Sequence, residues 1–298
     1  MTEPTAPFRS GYVALVGAPN AGKSTLLNRL LNLHVSAVAP RPQTTRHKIL
    51  GILNGPGFQA LFLDTPGLLD PKYALQALMK REIELALGDA DVVLLVVDAT
   101  AGPDRLAGIV AAVRGKRLIA AINKVDAVKD KSILLGFATR LAELGVNNVF
   151  MVSALRGSRV NDLKAAVVAA LPEGSPFYPD DQVTGQNERF FVAEFIREAI
   201  FNLYGEEVPY ATTVVIDEFK ERPERKDYIR ATIYVERDSQ KAILIGKDGA
   251  ALKRVGASAR WSIERFLERP VYLELWVKVA GAWRENEGFI RENVYPRQ

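Results

Sequence analysis

The sequence predicts two domains, an α/β domain with a mainly parallel sheet followed by a smaller α+β domain. Three observations predict it. Short apolar runs alternate with stretches of helical spacing from residue 12 to 171; a Pro- and Gly-rich segment then interrupts the pattern; a different rhythm follows. At 298 residues the chain exceeds a typical single domain, so each half can bury a core of its own.

In the first domain, residues 1–173, the runs YVALVG, FQALFLD, DVVLLVVD, RLIAAINK and NVFMVSA are continuously apolar. That suits strands covered on both faces, and their alternation with helices implies parallel pairing. The next segment, LPEGSPFYPDDQVTGQNE, lacks apolar periodicity and reads as a linker over 174–188.

The second domain, residues 189–298, opens with an amphipathic helix marked by Phe190, Phe191, Phe195, Ile196, Ala199, Ile200 and Leu203, stopping at Gly205. TTVVIDEF and DYIRATIYVER read as strands. Asp238 or Ser239 can cap a short helix ending at Ile245. After GKDG a second helix carries Leu252, Val255, Ala259, Ile263 and Phe266 on one face. In VYLELWVKV, Val271, Leu273, Leu275, Val277 and Val279 alternate with polar or aromatic residues, as in a strand.

Composition narrows the chemistry. Hydrophobic residues make up 48% and charged residues 25%, as in globular proteins. No apolar run reaches the ~18 residues of a membrane span, and the opening residues lack a signal-peptide pattern, so a cytoplasmic protein is expected. With no cysteine and only His34 and His47, disulfides, thiolate zinc sites and Cys nucleophiles are excluded. Net charge is +4, yet residues 181–298 hold 19 Lys/Arg against 20 Asp/Glu, so bulk charge does not decide for nucleic acid.

The sharpest motif is Gly17 to Ser24, GAPNAGKS, which matches G-x-x-x-x-G-K-[ST] between a strand and a helix. Its glycines let backbone N–H groups wrap phosphate, Lys23 reaches the outer phosphates and Ser24 can hold magnesium. The loop residues Gly17, Asn20, Ala21 and Gly22, with Thr25 after Ser24, complete the phosphate site. Asp64 ends a strand within Asp64-Thr-Pro-Gly67, where a carboxylate organises magnesium. Asn123-Lys124-Val-Asp126 also follows a strand, and a carboxylate at Asp126 can accept both the ring N–H and the amino group of guanine. Ser153-Ala154 would support the base from its other side.

With these motifs in place, the first domain resembles the TRAFAC class of GTPases and its Era-like subgroup. The resemblance implies a phosphate-loop GTPase domain that binds GTP or GDP with Mg2+. It identifies Pro40 to Arg46 as a switch loop, with Thr45 the magnesium-sensing candidate and Thr44 the alternative. Lys23, Thr45 and Gly67 then form the catalytic set. Leu68 and Leu69 stand where Ras-like proteins carry a water-orienting Gln, so charge stabilisation must come from elsewhere. Asn20 matches the residue that holds a potassium ion in cation-dependent relatives; its other reading is as a cap of the loop.

In the second domain Gly246-Lys247-Asp248-Gly249 joins two helices in the order helix, strand, strand, helix, helix, strand. KH folds use such a GxxG turn to clamp about four unpaired nucleotides. From Lys241 to Arg260 five basic residues, Lys241, Lys247, Lys253, Arg254 and Arg260, face one acid, Asp248. Asp248 is expected to point away from phosphate or to meet a base edge. Together with QTTRH and VYLELWVKV, this makes nearly the whole chain similar to the Era family of bacterial ribosome-assembly GTPases. That resemblance implies a type II KH domain, binding to small-subunit ribosomal RNA near its 3′ end and to the small subunit, a monomeric state, and peripheral contact with the inner face of the cell membrane.

Overall fold

The computed structural model describes residues 7–68, 70–102 and 106–295; Leu69 lies outside them. Its residues group into two compact units. The first comprises Met1–Ser36, Thr45–Asp70 and Met79–Gly185, and the second Ala37–Thr44, Pro71–Leu78 and Gln186–Gln298.

The first unit holds strands β1 (Arg9–Val16), β2 (Ile49–Gly55), β3 (Phe58–Asp64), β4 (Val92–Asp98), β5 (Arg117–Asn123) and β6 (Val149–Met151) in one sheet, ordered β2-β3-β1-β4-β5-β6. All neighbours are parallel except β2 and β3. Helices α1 (Lys23–Leu31), α3 (Leu106–Ala112), α4 (Ser132–Glu143) and α5 (Val160–Ala170) intervene, while α2 (Ala74–Asp89) begins among residues grouped with the second unit. The apolar strands are buried almost without a break, Val92 to Val97 on β4 and Gln59 to Asp64 on β3, as continuous rather than alternating runs require. In-register pairing sets Leu15 beside Asp64 and Asp98 beside Asn123, so the chemistry-bearing residues collect at the carboxyl ends of the strands.

In the first unit two features differ from the sequence reading. Strand β2 is an added antiparallel edge, joined to β3 by a tight hairpin at Gly55 to Phe58. The segment expected as a linker over 174–188 is instead packed on the first unit as far as Gly185. Gly174 N–H donates to Phe8 O at 3.0 Å, and Ile52 N–H to Val183 O at 2.9 Å. Gln59, fully buried, accepts the N–H groups of Phe177 and Tyr178 at 2.7 and 3.0 Å. This stretch covers the open edge of β2, a role that needs backbone partners but no apolar periodicity.

In the second unit α6 (Glu188–Leu203), β7 (Thr213–Lys220), β8 (Asp227–Val235), α7 (Asp238–Ile245), α8 (Ala250–Leu267) and β9 (Val271–Val279) follow the expected order. Strand β8 pairs antiparallel with β7 and parallel with β9. Asn187 caps α6, accepting from Phe190 N–H at 3.0 Å. The α7 cap falls at Arg237, one residue earlier than expected, where Gln240 reaches back to the Arg237 N–H at 3.1 Å. Phe191 and Phe195 of α6 pack on Phe266 of α8 with ring centroids 4.6 and 5.4 Å apart. A further helix, α9 (Glu287–Asn293), follows β9. The alternation expected in β9 is incomplete: Val271 and Val277 are buried, Leu273 and Leu275 only partly so, and Val279 is exposed.

Candidate functional site

The phosphate loop runs from the end of β1 to the start of α1. Asn20 and Gly22 adopt left-handed φ values of 62° and 92°, and Gly22 is the N-cap of α1. A Cβ on Gly22 would lie 2.3 Å from Asn123 Nδ2, so only glycine fits there. Lys23 Nζ is buried and donates to the carbonyls of Gly17 and Ala18 at 3.2 and 3.1 Å. Burial holds its pKa down to about 8, against an opposing pull from Asp64. Ala21 is buried, Thr25 follows Ser24 in the first turn of α1, and Asn20 is exposed.

Beside the loop, Ser24 of α1, Asp64 of β3, and Ser36 and Thr45 from the chain between α1 and β2 form one hydroxyl and carboxylate cluster. Ser24 Oγ donates to Asp64 Oδ2 at 2.6 Å, Ser36 Oγ donates to the same oxygen at 2.7 Å, and Thr45 Oγ1 lies 2.8 Å from Ser24 Oγ. Ser36 was absent from the sequence reading. Thr44 turns the other way, donating to Arg41 O at 2.8 Å. Burial raises the Asp64 pKa, opposed by its bonds from Ser24 and Ser36 and by Lys23. Its second oxygen, Oδ1, is buried with no hydrogen-bond partner among the described residues. A half-satisfied carboxylate among hydroxyls fits a hard divalent cation such as Mg2+, which takes oxygen ligands and few protein groups. Leu68 N–H donates to Gly17 O at 3.1 Å, fixing Gly67 beside the loop, while the Leu68 side chain packs on the core.

On the base side, Asn123 is a brace. Its Nδ2 donates to Ala21 O and its Oδ1 accepts from Ala154 N–H, both at 2.9 Å. Lys124, at a left-handed φ of 66°, pairs with Asp98 at 2.6 Å. The Asp126 carboxylate is held below its usual pKa range by a hydrogen bond with Ser153 and by the charges of Arg156 and Lys131. It therefore stays ionised and can accept two donors from one edge of a base. Asp98 is a partner the motif reading did not include.

In the second unit Gly246 and Gly249 have φ of 69° and 73° on either side of Lys247 and Asp248, both exposed. A Cβ on Gly246 would meet that of Ala251 at 2.6 Å, whereas Gly249 faces open space. Next to the turn lies a groove of about 480 Å³ between α8 and β9. Gly256 and Ala257 form a small-residue wall, Leu252, Leu273 and Leu275 an apolar floor, and Lys253 and Arg260 a basic rim. Arg254 is exposed on α8 and Lys241 half-buried on α7. Neither lines the groove. The floor leucines read as core in the sequence because a groove and a core produce the same periodicity.

Comparison with known proteins decides the family. Residues 12–124 match the 50S ribosome-binding GTPase family and residues 207–284 the KH domain family. The chain is 44% identical to the GTPase Era of Geobacter sp. (strain M21), over 97% of this chain and 98% of that one. The chain belongs to the Era family of GTPases. The Era of Xylella fastidiosa (strain M12) is 42% identical over 98% of this chain and 99% of its own. Among solved structures, Era in complex with MgGDPNP and nucleotides 1506–1542 of 16S ribosomal RNA superposes with a TM-score of 0.93 at 38% identity, covering 97% of this chain and 100% of the other. An Aquifex aeolicus Era variant bound to GDP and AlF4− gives the same score, identity and coverage. GTP, GDP and Mg2+ are thus the ligands of the first unit, and GTP hydrolysis is its reaction.

Proposed function

We propose that this chain is a GTP-driven switch that binds small-subunit ribosomal RNA near its 3′ end and assists assembly of that subunit. The observation that carries the RNA half is the groove: a GxxG turn, an apolar floor and the basic rim of Lys253 and Arg260. Bases can lie on the floor while phosphates pass the glycines. The solved relative that holds a 16S ribosomal RNA segment supports the choice of RNA.

In the nucleotide half, Ser24, Thr45 and Asp64 would hold Mg2+, and the ion supplies charge neutralisation at the β- and γ-phosphates. Lys23 neutralises the outer phosphates, the loop N–H groups orient them, and Asp126 selects guanine. Thr45 marks the γ-phosphate state through its hydroxyl. Asn20 would take a potassium ion that adds positive charge where the Ras-type Gln is missing, a reading its exposure in the loop supports.

Titration with ribosomal RNA fragments in GDP and in a non-hydrolysable GTP analogue tests the reading. A 3′-terminal small-subunit fragment should bind more tightly than other fragments, and more tightly in the analogue. Equal binding of all fragments would overturn it. No helix among the described residues is long and apolar enough to cross a membrane. Cytoplasmic residence as a monomer, with peripheral contact at the inner membrane face, completes the proposal; cell fractionation and gel filtration test it.

A further inference from the structure

Three charged side chains of α6, Glu194, Arg197 and Glu198, are 5%, 3% and 7% exposed. Burying charge is costly unless each group finds a partner, so the partners indicate what the charges do. Arg197 Nε donates to Glu194 Oε1 at 2.9 Å and Arg197 Nη2 to Glu194 Oε2 at 2.5 Å. The same Nη2 donates to the carbonyl of Thr44. Glu198 Oε1 accepts from Val38 N–H at 2.8 Å, and Asn202 Nδ2 donates to Val38 O at 3.5 Å. Positions 194, 197, 198 and 202 share one helical face. Within the second unit, therefore, both ends of the segment Ala37–Thr44 are held on one face of α6.

The Thr44 carbonyl is half of the peptide whose other half is the Thr45 N–H. A peptide is planar and rigid, so a guanidinium fixed on that oxygen fixes the plane from which Thr45 departs. Only the N–Cα and Cα–Cβ rotations then separate the clamped plane from Thr45 Oγ1, which sits 2.8 Å from Ser24 Oγ in the cluster around Asp64. Packing alone does not account for the arginine. Its Nη1 is buried without a hydrogen-bond partner among the described residues, and an uncharged side chain of similar volume would fill the space at less cost.

We propose that Arg197, ion-paired with Glu194, is a positioning residue for GTP hydrolysis: by clamping the Thr44 carbonyl it holds Thr45 within reach of the metal. The proposal rests on the reading of Thr45 as the metal-directed hydroxyl. It makes the order of the switch segment a property of a helix that lies more than a hundred residues later in the chain.

The test uses the full chain with the double substitution Glu194→Gln/Arg197→Met, which removes the pair without stranding a charge, and the single substitution Arg197→Lys. Affinities for fluorescent GDP and for a non-hydrolysable GTP analogue are measured across Mg2+ concentrations, with amide exchange over residues 37–46 and with kcat. In the double variant GDP affinity should stay within about twofold, analogue affinity should fall about tenfold, and the half-saturating Mg2+ should rise about tenfold. Exchange at residues 38–45 should quicken. Arg197→Lys, which keeps the ion pair and one donor, should lose only about threefold.

A folded double variant with an unchanged analogue-to-GDP ratio and Mg2+ requirement would overturn the proposal. So would an equal loss for both nucleotides, the mark of a merely structural residue. If the double variant does not fold, Arg197→Lys decides: unchanged Mg2+ dependence and exchange defeat the idea. Failure of the unsubstituted chain to hydrolyse GTP, or retention of its Mg2+ dependence in Thr45→Ala, would strike the underlying reading instead.

Discussion

Asn123 donates from Nδ2 to the Ala21 carbonyl at 2.9 Å, tying the base-reading loop to the phosphate loop. Its Oδ1 accepts the Ala154 N–H at the same distance, so one buried amide spans three loops that are distant in sequence. The geometry of the guanine site and that of the phosphate site are therefore not independent.

Asn123→Ala leaves the Ala21 carbonyl and the Ala154 N–H buried without that partner. Each unsatisfied group costs about 1–3 kcal/mol, so the nucleotide-free protein should lose about 2–6 kcal/mol of stability. Denaturant titration checks this, and stability unchanged to within experimental error would show that the brace carries no energy. Nucleotide affinity should fall as well.

Asp126→Asn should shift preference from GTP toward xanthosine triphosphate, because an amide can donate to the carbonyl that replaces the guanine amino group. Competition between the two nucleotides measures it. An unaltered order of preference would remove Asp126 from the base site.

Lys23 has a pKa of about 8 instead of 10.5 because it is desolvated. Between those values the unfolded chain keeps a proton that the folded chain has released, so stability from this group rises with pH across the window. At pH 7 the penalty is about 3 kcal/mol. Lys23→Met should raise the melting temperature of the nucleotide-free protein by about 3 °C or more at pH 7, and by less at pH 9.5. It should also weaken nucleotide binding on the order of a hundredfold. A variant that melts lower than the parent at pH 7 would contradict the buried-charge account.

Hydrolysis should be faster in potassium than in sodium, and Asn20→Ala should abolish the difference. Steady-state phosphate release in the two salts is the measurement. Equal rates in the unsubstituted protein would leave Asn20 with no ion to hold.

Gly249→Asp should weaken RNA binding through charge repulsion without reshaping the turn, since its Cβ position is open and aspartate tolerates left-handed backbone. Gly246→Asp should do more, because its Cβ would drive into Ala251 and distort the turn itself. Basal GTP hydrolysis should stay within about twofold in both. Filter binding and phosphate release on the same samples separate the two effects; an RNA affinity unaffected by Gly249→Asp would place the phosphates elsewhere.

The legible parts of the site are those where a strand end demands a residue type. Asp64 and Asn123 end strands, and Lys23, Ser24 and Asp126 follow them at spacings set by the backbone, so sequence alone marked them. Ser36 was invisible because it lies in irregular chain between α1 and β2, where no spacing rule applies. Helix α9 carries a single buried residue, Ile290, too little to make a periodic stripe. The edge-covering stretch after Pro172 was read as a linker because both lack periodicity; what distinguishes them is Gln59, whose bonds only coordinates reveal. Glu194, Arg197 and Glu198 are charged, so a reading of the apolar stripe passes over them. Their burial against Ala37–Thr44 could not be inferred from α6 itself.

The second unit draws on Ala37–Thr44 and Pro71–Leu78, yet its body begins only at Gln186. As the chain leaves the ribosome, those two stretches emerge long before α6 has been made, and until then the Val38 N–H and the Thr44 carbonyl lack their α6 partners. A nascent chain thus carries a complete phosphate loop before the clamp on its switch exists. Synthesis itself imposes an order: every residue of the phosphate and base sites, the last of them Ala154, is made before the helix that holds Ala37–Thr44.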